Sequence, residues 1–171
     1  MGAPETGRFF HFPGETVVTV HMPAALTLRQ ADAFDAAALA ELRVAGLIEL
    51  GLLAPYAAAA FDPRARREYW TLLREEKLTA WVLVAGGRVA GCACVLFWDR
   101  LPYPETSLHA ELCGVYVAPL FRRQGIAREL VSEAVATAHA RGVRRIMLSP
   151  TAITREFYRT LGFTESGQMR M

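Results

Sequence analysis

The sequence predicts an α/β domain with one mixed β-sheet that is covered by helices on both faces. The chain has 171 residues, 53% of them apolar, which is enough for one real hydrophobic core. β-prone runs and segments with helical apolar spacing follow the order β-α-α-β-β-β-α-β-α-β. A chain that has both directly consecutive strands and strands separated by a helix is typical of a mixed sheet.

The first part of the pattern is a short strand followed by two helices. We expect the strand at residues 26–30, and Asp32 can cap the next helix, which ends at Gly51. Asp62-Pro63 has the cap and the first-turn proline of a second helix, which we expect to run to about Lys77.

The rest of the pattern contains a hairpin and two further strand–helix units. Gly86 and Gly87 permit a primed turn between strands at residues 80–85 and 89–98. We expect the later strands at residues 109–117, 144–149 and 164–171, and the later helices at residues 125–141 and 154–161.

A separate N-terminal segment, residues 1–24, precedes the domain that we place at residues 25–171. Two β-prone runs around Pro13 and Gly14 predict an edge hairpin, an arm that pairs with a second copy, or a flexible lead. A homodimer is therefore one of our expectations.

Composition narrows the class of function. The formal net charge is only +2, which argues against nucleic acid or a membrane surface as the partner. No apolar run approaches the ~20 residues of a membrane span, and the first residues lack the features of a signal peptide. Three cysteines without zinc-ligand spacing predict reduced thiols in the cytoplasm and no metal site.

Residues 115–127 carry the clearest functional signal: an apolar strand, a basic turn, and a helix that starts at Gly125. The first turn of a helix has unbonded N–H groups and a partial positive charge, so it attracts phosphate. Gly125 lets a phosphate approach the backbone, and the guanidinium groups of Arg122, Arg123 and Arg128 would add positive charge. The segment therefore predicts a phosphorylated ligand.

Two motifs resemble the GNAT N-acetyltransferases. The turn Arg122-Arg-Gln-Gly-Ile-Ala127 is similar to that family's pyrophosphate signature, (Arg/Gln)-x-x-Gly-x-(Gly/Ala). Some thirty residues later, Phe157-Tyr-Arg-Thr-Leu-Gly-Phe163 resembles its second hallmark, a helix followed by Leu-Gly-Phe. The resemblance implies acetyl-coenzyme A as donor, and a twisted mixed sheet whose fourth and fifth strands splay apart to admit it.

The resemblance also implies which residues hold the donor. The turn would hold the pyrophosphate, the strand before it would pair with the pantetheine arm, and the backbone N–H of Val117 would face the thioester oxygen. Many relatives carry an Asn after the fifth strand, but Ser149-Pro-Thr151 contains none, so Thr151 or Ser149 would replace that contact. The implied set is Val115, Tyr116, Val117, Arg122, Arg123, Gln124, Gly125, Ile126, Ala127, Arg128, Thr151 and Arg155.

Two residues are implied for catalysis. Tyr158 matches the general acid of the family, since a phenol with a pKa near 10 is protonated at pH 7 and can donate to a departing thiolate. Without that role, Tyr158 would be a packed helix tyrosine. Glu111 matches a carboxylate that acts as a base through water, or else faces solvent from its strand; His109 and Glu105 are the fallbacks.

We therefore expect a cytoplasmic acetyl-coenzyme A-dependent N-acetyltransferase that acts on a small amine. A peptide or protein amine is the second choice, and a regulatory module that only binds acyl-coenzyme A is the rival from another class. The acceptor would lie between two loops, which contain Arg43, Glu49, Tyr56, Trp98, Tyr103 and Glu105.

Overall fold

The computed structural model describes residues 26–101 and 107–166. The predicted N-terminal hairpin or arm, Tyr103, Glu105 and residues 167–171 of the predicted last strand lie outside the described residues. The strands are β1 (Thr27–Gln30), β2 (Leu78–Ala85), β3 (Arg88–Asp99), β4 (Leu108–Val117) and β5 (Ile146–Met147). The α-helices are α1 (Ala36–Glu49), α2 (Ala58–Arg74), α3 (Ile126–Ala140) and α4 (Arg155–Arg159), and short 3-10 turns occur at Ala33–Asp35, Pro55–Ala57 and Pro119–Phe121.

The five strands form one sheet in the order β1-β2-β3-β4-β5. The pairs β1–β2, β2–β3 and β3–β4 are antiparallel, whereas β5 is parallel to β4. Helix α3 packs on one face, and α1 and α2 pack on the other. The predicted mixed sheet with helices on both faces is confirmed.

The two faces of the sheet bury different kinds of side chain. The α3 face is apolar, with Leu83, Val95 and Leu112 packed against Leu130 and Val131. The opposite face also contains two buried thiols and two half-buried tyrosines, which are Cys92, Cys94, Tyr69 and Tyr116. Both thiols and both tyrosines therefore lie on the side of α1 and α2.

A capping box joins β1 to α1. The Asp32 carboxylate accepts from the backbone N–H of Phe34 at 2.8 Å, and Asp35 accepts from the backbone N–H of Asp32 at 3.0 Å. Arg29 on β1 donates two hydrogen bonds to Asp35, at 2.6 and 2.8 Å. These bonds hold the pKa of Asp35 below its usual value. The predicted cap at Asp32 is confirmed.

The turn between β2 and β3 is also as predicted. Gly86 and Gly87 have φ values of +56° and +78°. Positive φ at both central residues defines the primed turn that suits a hairpin.

The prediction for the start of the second helix was wrong. Helix α2 begins at Ala58, directly after the turn Pro55–Ala57, so Pro63 lies inside the helix. The alanines from Ala58 to Ala60 form helix readily, which outweighs the single hydrogen bond that Pro63 cannot make. Asp62 does not cap the helix, and its carboxylate accepts from Arg66 Nε at 2.6 Å.

Two later strands differ from the prediction. β5 contains only Ile146 and Met147 of the predicted residues 144–149. Residues 164–166, the described part of the predicted last strand, form no strand.

Candidate functional site

A β-bulge divides β4. Cys92 on β3 is opposite Tyr116, and Cys94 is opposite Cys113, so two residues of β4 occupy the space opposite Ala93. The inserted residue is accommodated at Gly114, where φ is +57°, a backbone conformation that favours glycine. The oxyanion role implied for Val117 requires such a bulge, which the sequence alone does not show, although a glycine inside an apolar strand is a signal for it.

β4 is paired on both edges only before the bulge. We call Leu108–Cys113 the closed half of β4 and Val115–Val117 its open half. β5 pairs with Ala110 and Glu111 and with no later residue of β4. Among the described residues, the second half of β4 therefore has β3 as its only strand neighbour. Its other edge can accept an extended ligand as an additional strand.

The backbone of Val117 faces that open edge. Ala118 donates its N–H to the carbonyl oxygen of Ala90, on the β3 side, at 2.8 Å. Successive residues of a strand direct their backbone groups to opposite edges, so the N–H and C=O of Val117 point away from β3. Consistent with this direction, Arg122 Nε donates to the carbonyl oxygen of Val117 at 2.7 Å.

The turn after β4 leads into an uncapped helix start. Gly125 precedes α3 with φ at +83°, and no side chain bonds to the first N–H groups of the helix. A Cβ placed on Gly125 would meet no atom of the described protein within 4 Å, so the space above the helix start is open. Arg123 also has a positive φ, +63°, which is uncommon for a residue with a side chain.

The polar side chains of this turn are already bonded within the protein in three cases. Arg122 Nη2 donates to both carboxylate oxygens of Glu49, at 2.9 and 2.8 Å. Arg128 donates to Thr160 Oγ1 at 2.9 Å, and Gln124 Nε2 donates to the carbonyl oxygen of Leu120 at 3.1 Å. The space above Gly125 is thus open, while the guanidinium of Arg122 is bonded to Glu49 at the end of α1.

Tyr158 lies on α4 and is half-buried. Its ring makes edge-to-face contacts with Phe157 and Phe163, at centroid distances of 5.1 and 5.8 Å. Burial, and secondarily the neighbouring Cys113, raise the pKa of Tyr158 above its ordinary value. Its hydroxyl has no hydrogen-bond partner among the residues that the structure describes.

The Leu-Gly-Phe motif explains how Tyr158 is held. Helix α4 ends at Arg159, and the chain then reverses at Gly162, where φ is +88°. The N–H of Phe163 then donates back to the carbonyl oxygen of Tyr158 at 3.2 Å, and Leu161 packs on the core with both aromatic neighbours. The motif therefore places the tyrosine beside the end of the closed half of β4.

Glu111 and His109 lie in that closed half. Glu111 is half-buried, opposite Leu96 of β3 and beside Met147 of β5. His109 stacks at 6.1 Å on Trp98, and burial followed by two arginines lowers its pKa. Glu111 is the last residue of β4 that pairs with β5, so it stands where the two strands part.

Two thiols near the bulge, those of Cys94 and Cys113, have raised pKa values. Burial is the main cause that raises the pKa of Cys113 to about 12, and Cys94 and Glu111 contribute to the increase. Hydrogen bonding with Cys92, followed by burial, raises the pKa of Cys94 as well. A thiol in this state is a poor nucleophile, because the thiolate is the reactive form.

The residues after β5 stabilise α4. Thr151 and Thr154 bond to each other through their hydroxyl groups at 3.0 Å, and each also accepts the other's backbone N–H. Arg155 donates to Glu165 at 2.9 Å. Both side chains therefore have partners within the protein. The contacts of Thr151 and Arg155 with acetyl-coenzyme A remain predictions.

The comparisons with known proteins decide the family. The model of the Acetyltransferase (GNAT) family matches residues 45–163, more than half of the chain. The chain belongs to this family. Among curated proteins, none matches its sequence.

Solved structures share the fold at low sequence identity. A predicted acetyltransferase with acetyl-CoA from Clostridium acetobutylicum is 23% identical with a TM-score of 0.77, covering 86% of this chain and 95% of that chain. A GCN5-related N-acetyltransferase from Ralstonia eutropha JMP134 is 21% identical with a TM-score of 0.75, covering 86% and 97%. An aminoglycoside N-acetyltransferase in complex with CoA is 20% identical with a TM-score of 0.68, covering 86% and 93%.

The described residues contain neither a metal-binding cluster nor a membrane-spanning helix. No group of three or more His, Cys, Asp or Glu side chains there could hold a metal ion. Within the same residues, every helix is too short or too polar to cross a bilayer.

Proposed function

We propose that this chain transfers an acetyl group from acetyl-coenzyme A to the amine of a small molecule. One observation carries the proposal: the open half of β4 leads directly into an uncapped helix start. An extended arm and a pyrophosphate at its end need these two features in this order.

The chain fits a donor of this shape. The backbone N–H groups of residues 123–127 and the partial charge of the α3 N-terminus suit the pyrophosphate, whereas the N–H of Arg128 already donates to the carbonyl oxygen of Gly125 at 2.9 Å. The space above Gly125 leaves room for it, since a Cβ there meets no protein atom. Val115 to Val117 offer a strand edge to the amides of the pantetheine arm.

Val117 and Tyr158 are the residues for the acyl transfer. When bound, acetyl-coenzyme A supplies the thioester, whose carbonyl carbon forms a bond to the amine nitrogen while its C–S bond breaks. The N–H of Val117 can donate to the developing oxyanion, an interaction worth roughly 3–4 kcal/mol in other enzymes. The Tyr158 hydroxyl donates its proton to the departing sulfur, and its raised pKa keeps that proton in place at neutral pH.

Glu111 is the candidate base. Its carboxylate stands where β4 and β5 part, so it can take the amine proton through a water. A covalent acetyl-enzyme is disfavoured, because the pKa of the nearby Cys113 is raised to about 12. Direct attack by the amine is therefore the mechanism that we propose.

The acceptor side carries charges of both signs. Arg43 on α1 lowers the pKa of Cys113 whereas Glu111 raises it, so charges of both signs act on this region. Arg43 forms no ion pair with any described residue. The arrangement favours a small amine that also bears an acidic group, and a panel of amines with and without such a group, assayed for thiol release, tests this preference.

We also propose that the protein acts in the cytoplasm as a homodimer. The free thiols of Cys92, Cys94 and Cys113 suit a reducing compartment. Comparing the size in solution of the full chain with that of a chain starting at Met22 tests whether residues 1–24 hold the dimer together. An unchanged oligomeric state after truncation would show that these residues do not form the dimer interface.

Calorimetric titration with acetyl-coenzyme A and with free coenzyme A tests the donor site. We expect micromolar binding of both ligands, and at least ~10-fold weaker binding after Gly125→Ala, because the new methyl group occupies the phosphate space. Gly87→Ala is the matched control, since Gly87 also has φ near +80° and open space around it but lies in a distant hairpin. Absence of binding to the unsubstituted protein would overturn the proposal.

A further inference from the structure

One carboxylate connects helix α1 to the turn that follows β4. Glu49 is the last residue of α1, and its Oε1 accepts from the Tyr116 hydroxyl at 2.6 Å. Arg122 Nη2 donates to the two oxygens of the same carboxylate at 2.9 and 2.8 Å. The partners are 67 and 73 residues away along the chain, so only the fold brings them together.

The guanidinium of Arg122 is held on three sides. Its Nη2 bonds to Glu49, its Nε donates to the carbonyl oxygen of Val117, and its Cζ lies 5.3 Å from the centre of the Tyr116 ring. Val117 and Tyr116 belong to the open half of β4. A single arginine therefore links the strand edge, the start of the turn and α1.

Helix α1 approaches β4 closely beside this link. A Cβ on Gly46 would lie only 3.2 Å from Cδ2 of the Tyr116 ring, so the ring packs directly against the helix backbone. Gly46 is one turn before Glu49. This packing brings the end of α1 close to the Tyr116 hydroxyl. The Glu49 carboxylate therefore reaches both Tyr116 and Arg122.

The turn needs such support because its backbone is unusual. Arg123, the residue after Arg122, has φ at +63°, a region that residues with a side chain occupy rarely and only when their surroundings hold them there. Anchoring Arg122 fixes one end of this residue, and the start of α3 at Gly125 fixes the other. The N–H groups that follow are then held in one orientation.

We infer that Glu49 is a positioning residue for the donor: it holds Arg122 so that the turn keeps its phosphate-binding conformation. This role rests on the proposed function. Because the charges of Glu49 and Arg122 offset each other, the pair adds little net charge to the site. Its role is to hold the backbone of the turn in position.

The test compares Glu49→Gln with Glu41→Gln. Glu41 is on the same helix and pairs with Arg66 at 2.9 Å, away from the turn, so its replacement also removes one exposed ion pair. We expect Glu49→Gln to weaken coenzyme A binding about 10-fold and to raise KM for acetyl-coenzyme A similarly, with kcat changed less than about twofold. Glu41→Gln should leave coenzyme A affinity unchanged.

A double-mutant cycle separates positioning from general destabilisation. If Glu49 acts through Arg122, adding Glu49→Gln to Arg122→Gln should weaken coenzyme A binding little further. Tyr116→Phe removes one bond to Glu49 and keeps the arginine pair, so we expect an intermediate loss, which also serves if Glu49→Gln folds poorly.

The outcomes distinguish this role from the donor site itself. Unchanged or tighter coenzyme A binding by Glu49→Gln, or fully additive losses in the cycle, would overturn the positioning role. Failure of the unsubstituted protein to bind coenzyme A would overturn the proposed function as well.

Discussion

The two halves of β4 differ although they belong to one strand. Before Gly114, side chains fill the core and β5 pairs with Ala110 and Glu111; after it, β3 alone pairs with the strand. The first half builds the sheet, and the second half leaves one backbone edge available. One inserted residue thus separates a structural segment from a segment suited to binding.

The difference between the two halves concerns the hydrogen bonding of their backbone groups. A fully paired sheet satisfies every backbone group and leaves none for a ligand, while an exposed edge invites pairing with other chains. Because β5 ends after two residues, it leaves the edge of β4 beyond Glu111 without a strand partner on that side. Changes in the open half should therefore alter activity, and changes to the core side chains of the closed half, as distinct from Glu111, should alter stability.

The largest expected effect is that of Tyr158→Phe. Turnover should fall about 10²–10⁴-fold, because the departing thiolate loses its proton donor, while coenzyme A affinity stays nearly the same. Steady-state kinetics with calorimetric titration as the folding and binding control measures both. An unchanged turnover would remove Tyr158 from the mechanism and favour a module that only binds.

The pH profile sharpens this prediction. The pKa of Tyr158 is raised above 10.0, and the residue acts while protonated, so its contribution is lost only as pH rises through that higher value. The kcat of the unsubstituted enzyme should therefore not fall between pH 7 and 9.5. A fall in kcat within this range would assign the acid to another group.

The next effect should come from Gly114→Ala, which addresses the bulge that separates the two halves. Its Cβ would lie 3.5 Å from Cys94 Sγ and Tyr69 Oη, an ordinary contact, but φ at +57° disfavours a side chain. Relaxation of the bulge would misplace the edge of Val115 and Val117 and reduce turnover on the order of 10²-fold. Gly87→Ala is again the control for left-handed strain alone, and equal turnover in the two variants would make the bulge irrelevant to catalysis.

Several local features of the fold could be predicted from short-range sequence patterns. The cap at Asp32, the Gly86–Gly87 turn and the helix that starts after Gly125 depend on neighbours in the chain, and the structure confirms them. The start of α2 was mistaken because Asp62-Pro63 satisfies a local rule that the preceding alanines override.

Features that depend on distant partners could not be predicted. The side chain of Arg122 was expected to face a phosphate, but its carboxylate partner is 73 residues earlier in the chain. The length of β5 depends on where β4 diverges, and the bulge depends on the register against β3. Such contacts are decided by packing rather than by local residue preference.

The smallest effect on turnover should come from Leu112→Ala, in the closed half. Leu112 is only 3% exposed, so its truncation should lower the free energy of unfolding by about 2–5 kcal/mol through lost burial and a cavity. Coenzyme A affinity and kcat, measured well below the unfolding midpoint, should change less than about threefold, because the backbone edge after Gly114 is retained. Leu83→Ala, on β2 of the same core, provides the matched loss of stability at a distance from β4. A kinetic defect in Leu112→Ala beyond that of Leu83→Ala would show that the two halves of β4 are coupled through side-chain packing.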